Sequence, residues 1–120
     1  MDEKKRQNLI LRGKILQGIR RFFLEEGFAE VETPYLVSSP GMEPHLQALE
    51  VSIQPPAGGP KRMYLQTSPE YAMKKLLGEG WEKIFQVCRV FRDEEISRTH
   101  QVEFTMLEWY RAHADYRKIM

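Results

Sequence analysis

The sequence predicts an α+β fold in which part of an antiparallel β-sheet is flanked by helices. Three observations predict it: an amphipathic helical pattern near the N-terminus, two pairs of strand-like segments that each resemble a hairpin, and a helix start between those pairs. The chain has 120 residues, of which 42% are hydrophobic. This size and composition suit one structural unit with its own core.

The first predicted element is a helix over residues 9–26. Apolar residues recur there at spacings of three and four, with charged residues between them, as in an amphipathic helix. Gly27 supplies a C-terminal stop. Residues 28–33 then alternate apolar with polar or small side chains, which predicts a strand that Pro34 ends. The apolar helix residues are Ile15, Leu16, Ile19, Phe22 and Phe23.

A loop and a hairpin are predicted next. Residues 37–47 contain turn-forming residues without periodicity, which predicts a surface loop. Residues 49–53 and 63–66 are short strand candidates, and the proline- and glycine-rich residues 55–60 between them favour a hairpin connection.

The remaining part of the chain combines a helix with a second hairpin. Ser68, Pro69 and Glu70 form a helix start, because serine caps backbone N–H groups, proline tolerates the first helical position and an acid favours the positive end of the helix dipole. We expect this helix to end before Gly78. Residues 84–91 and 102–110 are strand candidates joined by a long polar loop.

Charge and cysteine content limit the class of protein. Eighteen basic and seventeen acidic residues give a net charge of +1, so no overall field attracts polyanions. The single cysteine, Cys88, cannot form an internal disulfide, which is consistent with a reducing compartment. No apolar stretch approaches the roughly 20 residues needed to span a bilayer, and the charged N-terminus has no signal-peptide core. We therefore predict a cytoplasmic protein without membrane partners.

The second hairpin is expected to gather aromatic and charged side chains on one face, because residues two apart in a strand share a face. On the later strand these residues are Phe104, Met106, Glu108 and Tyr110. On the earlier strand they are Gln86, Cys88, Val90, Arg92 and, if the chain stays extended, Glu94. We expect Arg92 and Glu108 to share this face. The alternative is that both are solvent-exposed residues of an ordinary hairpin.

These side chains suggest a ligand site. A carboxylate in a partly buried, aromatic-lined pocket needs a cationic partner, and a ligand ammonium would serve Glu108 as well as an arginine. Tyr110 offers a hydrogen bond or a cation–π contact. Arg92 can clamp a phosphate and stabilise the charge that develops on it. Glu94 is a candidate to orient a nucleotide or a magnesium ion, and Phe104 either stacks on a purine or belongs to the core.

Two common kinds of site are not predicted. His45, His100 and His113 lie far apart and no cysteine pair accompanies them, so we predict no structural zinc site. No glycine-rich phosphate loop is present, so an ATP site would be built differently. We expect His100 to be a solvated loop residue unless a polyphosphate is bound.

Several segments resemble those of class II aminoacyl-tRNA synthetases. Residues 91–94 (Phe-Arg-Asp-Glu), the loop with Arg98 and His100, and residues 103–110 (Glu-Phe-Thr-Met-Leu-Glu-Trp-Tyr) resemble motif 2 of the family. Residues 28–34 resemble motif 1, which forms the family's dimer interface and ends in proline. Residues 65–70 resemble the segment that holds the substrate amino group. Within the family the similarity is to the lysyl subgroup, especially its short paralogues that act on elongation factor P.

The resemblance implies a role for each matching residue. Arg92 would contact the substrate carboxylate and the ATP α-phosphate, and is the candidate catalytic residue. The further ATP-binding residues would be Glu94, His100, Gln101 and Phe104, with Phe104 stacking on adenine. The residues that bind lysine-like amino groups would be Ser68, Glu70, Glu108 and Tyr110. Gln101-Val102 stands where Asn-Pro is usual in the family.

The implied reaction is attack of a β-lysine or lysine carboxylate on ATP, with Mg²⁺ offsetting phosphate charge, followed by transfer to a lysine of elongation factor P. Two acids in one pocket suit a diamino acid and disfavour a dicarboxylic one. The alternatives are a lysyl-tRNA synthetase that charges tRNA and a non-catalytic synthetase-like binding module.

The resemblance also makes residues 1–120 the N-terminal portion of a catalytic domain. The family's motif 3 would lie beyond Met120, so we expect this chain alone to be weakly active or inactive. Very little chain precedes motif 1, where a lysyl-tRNA synthetase would carry an anticodon-binding domain. A homodimer through residues 15–34 is expected.

Overall fold

The computed structural model describes residues 2–39, 48–93 and 102–112. One helix and four strands are followed within these ranges by a second helix and two further strands, and the predicted α+β class is confirmed. In chain order the elements are α1 (Glu3–Glu25), β1 (Ala29–Glu30), β2 (Leu36–Val37), β3 (Glu50–Ile53), β4 (Lys61–Leu65), α2 (Glu70–Gly78), β5 (Lys83–Phe91) and β6 (Glu103–Arg111).

The strands form two three-stranded sheets in this part of the chain. In one, β5 and β6 make an antiparallel hairpin and β1 runs parallel to β5 on its other side. In the other, β4 lies between β2 and β3, and both pairs are antiparallel. Both predicted hairpins are confirmed. The parallel pairing of β1 with β5 was not predicted. A short strand pattern does not identify its partner, and Ala29 and Ile84 are far apart in the sequence.

Helix α1 begins at Glu3, well before the predicted start at residue 9. The backbone N–H of Lys4 donates to Oδ1 of Asp2 over 3.0 Å, so Asp2 acts as the N-cap. Glu3 adds an acid to the first turn, where the helix dipole favours negative charge. The first turns are polar, which is why apolar periodicity missed them.

The end of α1 builds the centre of the core. Gly27 has a φ of 84° and stops the helix as predicted. Its N–H donates to the Leu24 carbonyl over 3.1 Å, and the N–H of Phe28 donates to the Phe23 carbonyl over 2.9 Å. This cap brings the rings of Phe23 and Phe28 to a centroid distance of 5.2 Å, while Phe23 stacks on Phe85 at 4.9 Å. Around these three buried rings pack Ile19, Val87, Leu107 and Trp109.

Helix α1 therefore covers one face of the β5–β6 hairpin. Nη2 of Arg12 also donates to Oγ1 of Thr105 over 2.6 Å on this face. The opposite face of the hairpin carries the predicted site residues. Much of the apolar surface of α1 does not pack on the described part of the chain and is 44–57% exposed, at Leu9, Ile10, Leu11, Ile15, Phe22 and Leu24.

A strand over residues 28–33 was predicted, and this length is wrong. Only Ala29–Glu30 pairs as a strand. Farther along, the N–H of Val31 donates to the Phe85 carbonyl over 2.9 Å. The N–H of Thr33 then donates to the side-chain Oε1 of Gln86 over 3.1 Å, so a side chain replaces the backbone ladder.

The boundaries of α2 also differ from the prediction. Pro69 stands before the helix as its N-cap residue, while Oγ of Ser68 accepts from the Glu70 N–H over 3.3 Å. The helix includes Gly78, which was expected to lie outside it. Gly80, with a φ of 110°, follows the helix end in the left-handed conformation instead.

Candidate active site

The predicted shared face of the second hairpin is confirmed by its register. The cross-strand pairs on this face are Ile84–Tyr110, Gln86–Glu108, Cys88–Met106 and Val90–Phe104. Arg92 follows β5, and its N–H donates to the Val102 carbonyl over 2.9 Å, which extends the pairing. Arg92 and Glu108 therefore lie on one side of the sheet. Both are partly buried, so the alternative of two solvated residues is wrong.

The Arg92 guanidinium is held from two sides. Its Nε donates to the Thr67 carbonyl over 3.3 Å, just ahead of α2. Its Cζ lies 5.3 Å from the centroid of the Phe104 ring, within the range of a cation–π contact. Phe104, predicted to stack on a purine, thus already contacts the arginine predicted to hold the phosphate. A planar, always charged guanidinium in a fixed orientation suits bidentate binding of an anion.

Glu108 is an acid in an unfavourable environment for charge. Burial raises its pKa, the hydrogen bond from Tyr110 lowers it, and the Glu70 carboxylate raises it again, while the cations of Lys74 and Arg92 lower it. The Tyr110 hydroxyl donates to Oε2 of Glu108 over 2.9 Å. Because the Glu70 carboxylate of α2 affects the pKa of Glu108 on β6, the two acids interact electrostatically.

The remaining predicted substrate residues are Glu70, which begins α2, and Ser68, which lies just before the helix. Ser68 caps the Glu70 N–H, which fixes the start of the helix. Oε1 of Glu70 accepts from Nζ of Lys74 over 2.7 Å. Sequence reasoning missed Lys74. The spacing of four residues from Glu70, at which helix side chains are neighbours, was the signal that could have found it.

Gln66 ties the site to both sheets. Its N–H donates to the Tyr35 carbonyl over 2.8 Å, and its own carbonyl accepts from the Phe91 N–H over 2.9 Å. Its buried side chain donates through Nε2 to the Arg89 carbonyl over 2.9 Å. Residues 66 and 67 therefore hold the end of β5 and the residue that follows it, Arg92.

Two side chains of the site face itself are buried. Gln86 is fully buried, and its Nε2 donates to Oγ1 of Thr33 over 3.0 Å. Burial and, secondarily, the Glu108 carboxylate raise the pKa of Cys88 to about 11, so its thiol stays protonated at neutral pH.

Three predicted ATP-binding residues, Glu94, His100 and Gln101, lie outside the described residues. Within residues 2–39, 48–93 and 102–112, no group of three His, Cys, Asp or Glu side chains is arranged to hold a metal ion. None of the helices in these ranges is long and apolar enough to cross a bilayer.

The amino-acid sequence is similar to those of known proteins. A sequence profile described as tRNA synthetases class II (D, K and N) matches residues 1–120. The chain is 48% identical over 115 residues to the elongation factor P--(R)-beta-lysine ligases of Histophilus somni (strain 2336) and Pasteurella multocida (strain Pm70). Each alignment covers 95% of this chain and 36% of the relative. The chain thus spans about a third of the length of these curated relatives.

Proposed function

The chain belongs to the class II tRNA synthetase family of the D, K and N type, and from this premise we propose that it forms part of an ATP-dependent ligase for lysine-like amino acids. The proposed substrate is (R)-β-lysine or lysine, activated as an aminoacyl adenylate. The proposed acceptor is a lysine of elongation factor P. The names of the relatives, at 48% identity, support this reaction.

One observation carries the proposal. An arginine, an aromatic ring and an acid hydrogen-bonded to a tyrosine lie on the same face of one hairpin, as Arg92, Phe104, Glu108 and Tyr110. A second acid, Glu70, influences that acid from α2. The arrangement offers a cation for a carboxylate or phosphate at one end and two carboxylates for ammonium groups at the other.

The proposed chemistry follows from these charges. A carboxylate oxygen of the amino acid attacks the α-phosphorus of ATP, the bond from that phosphorus to the bridging oxygen breaks, and pyrophosphate leaves with the electron pair. Arg92 binds the substrate carboxylate and the α-phosphate, and stabilises the charge that develops there. Mg²⁺ would enter with ATP and offset phosphate charge. Phe104 would stack on adenine once the nucleotide is bound, with Glu94, His100 and Gln101 completing the ATP site.

Glu70, Glu108 and Tyr110 would bind the ammonium groups of the substrate. Two carboxylates favour a diamino acid over a dicarboxylic one such as aspartate, whose second carboxylate they would repel. In the second step the amine of the acceptor lysine attacks the carbonyl carbon of the adenylate, AMP leaves and an amide forms. Transfer to tRNA by a lysyl enzyme is the alternative, supported by the breadth of the matching family.

A homodimer through α1 and β1 is part of the proposal. Six apolar residues of α1 are about half exposed, which is unusual for one helix of a monomer. Burial of such a surface against a second copy would remove this apolar area from water. We place the action of the complete protein in the cytoplasm, where elongation factor P and tRNA act.

The test is amino-acid-dependent exchange between ATP and labelled pyrophosphate, measured with the full-length protein and (R)-β-lysine, lysine and aspartate in turn. Arg92→Ala should abolish exchange, whereas Arg89→Ala, at an exposed position of the same strand, should leave it unchanged. Preference for β-lysine supports the modification ligase. Preference for lysine favours the tRNA synthetase, and no exchange with any substrate by a folded protein refutes the enzyme and leaves a binding module.

A further inference from the structure

Each acid of the candidate amino-acid site already holds a donor of the protein itself. The Glu108 carboxylate accepts from the Tyr110 hydroxyl over 2.9 Å. The Glu70 carboxylate accepts from the Lys74 ammonium over 2.7 Å. A primary ammonium is also the group that the proposed substrate would present to Glu70. The contact between Lys74 and Glu70 is therefore of the same chemical kind as the contact expected with a lysine-like ligand.

The Glu70–Lys74 pair is placed where a ligand can replace it. The side chains of Lys74 and Glu70 are 41% and 40% exposed, so a ligand can reach the carboxylate and the lysine can leave into solvent. An exposed pair four residues apart on a helix is weak, and shifts an equilibrium by only about twofold. A tighter or buried pair would close the site, whereas a weak one holds the carboxylate in place until a ligand arrives.

Lys74 also lies within the electrostatic reach of the second acid. The Glu70 carboxylate raises the pKa of Glu108 and the Lys74 ammonium lowers it. The Lys74 cation, together with that of Arg92, thus offsets the repulsion between the two carboxylates in the absence of substrate. When a diamino acid brings its own ammonium groups, the lysine is no longer needed for that balance and repels the ligand instead.

We propose that the Lys74 ammonium binds the Glu70 carboxylate where the substrate ammonium would bind, and that substrate displaces it. Lys74 therefore lowers the affinity for diamino acids. This inference rests on the proposed function. Lys74 is a specificity-determining residue in this scheme, and it takes no part in the transfer of the acyl group.

Helix α2 offers a matched control next to this pair. Lys75 lies one residue later and has its own partner four residues back, with its Nζ 5.8 Å from the centroid of the Tyr71 ring. Tyr71 is 70% exposed, so this second pair faces solvent. Lys75→Met makes the same change in charge and shape as Lys74→Met, on the same helix, at a position whose ammonium lies over the Tyr71 ring.

The experiment measures KM for (R)-β-lysine and lysine in pyrophosphate exchange by the full-length protein, with ATP saturating. Lys74→Met should lower KM about twofold at unchanged kcat, since the competing cation is removed. Lys74→Arg, which keeps a cation, and the control Lys75→Met should keep the KM of the unaltered protein. Lys74→Gln, with a polar end, serves as a second neutral variant if Lys74→Met does not fold.

The outcomes separate this inference from the function on which it rests. A KM that stays the same or rises in the neutral variants, while the unaltered protein activates diamino acids, overturns the displacement of Lys74 and leaves the ligase intact. A KM that falls equally in Lys75→Met also overturns it, because the effect is then one of general charge. Failure of the unaltered protein to activate any diamino acid overturns both.

Discussion

Replacement of Glu108 by glutamine separates the binding role of this acid from its effect on folding. The substitution removes one negative charge, and it keeps the size of the side chain and an acceptor for the Tyr110 hydroxyl. Burial and the nearby Glu70 carboxylate raise the pKa of Glu108 above its ordinary value of 4.5. The folded protein therefore holds this proton more tightly than the unfolded chain does, and ionised Glu108 lowers the free energy of unfolding.

The sign of the pH dependence follows directly. Below the unfolded pKa the acid is protonated in both states, so the unaltered protein and Glu108→Gln should be equally stable. As the pH rises through the raised pKa of the folded state, the unaltered protein loses stability that the variant keeps. At pH 7.5 we expect the variant to be more stable by about 0.5–2 kcal/mol, the usual range for stabilising substitutions.

Substrate binding should change in the opposite direction. A hydrogen bond to a charged group contributes about 1.5–3 kcal/mol, and each 1.4 kcal/mol or so corresponds to tenfold in affinity. Loss of the carboxylate should weaken the binding of a diamino acid roughly ten- to hundredfold. Urea unfolding at pH 4 and pH 7.5, with calorimetric titration of β-lysine and lysine, measures both quantities on the full-length protein.

Glu103→Gln is the matched control, because Glu103 is exposed on the same strand. It should leave stability and affinity within experimental error of the unaltered protein. Unchanged affinity in Glu108→Gln would refute the role of Glu108 in ammonium binding. A variant less stable than the unaltered protein at pH 7.5 would refute the electrostatic cost assigned to the buried acid.

Two further predictions concern the buried side chains of the site face, Gln86 and Cys88. Gln86→Leu should lower the free energy of unfolding by roughly 1–3 kcal/mol, because the buried N–H of Thr33 loses its acceptor. Urea unfolding measures this, with Arg89→Leu at an exposed position as the control. Equal stability of the two variants would contradict the prediction. Cys88, with a pKa of about 11, should react with iodoacetamide at pH 8 far more slowly than in the urea-unfolded chain, since only about one thiol in a thousand is ionised. Labelling of the folded protein at the unfolded rate would show that the thiol is neither buried nor protonated as described.

The site face of the hairpin could be predicted because a strand has a fixed period of two. Phe104, Glu108 and Tyr110 had to share a face wherever β6 formed, and Arg92 joined them because both strands have their apolar residues in matching positions. The contact of Arg92 with Phe104 could not be predicted, since strand parity does not give side-chain rotamers.

The parts that sequence reasoning missed depend on contacts between distant residues or on local polar bonds. The parallel pairing of Ala29 with Ile84 has no signal in either segment alone. The early start of α1 depends on the cap from Asp2, and the short β1 on the side chain of Gln86, neither of which is an apolar pattern. The ion pair of Lys74 with Glu70 depends on the four-residue spacing within α2, whereas only the start and the end of that helix were predicted.

The parallel edge strand has a consequence for the order in which the chain folds. Phe91 and Glu103, the innermost pair of the β5–β6 hairpin, are close in sequence, whereas β1 must find β5 across the whole intervening chain. Closing the larger loop costs about 1.3 kcal/mol more in chain entropy. The hairpin is therefore expected to form first, with the face that carries Arg92 and Glu108 already assembled. Until α1 docks, the rings of Phe85 and Trp109 on the other face remain in water, so early intermediates would be prone to aggregate.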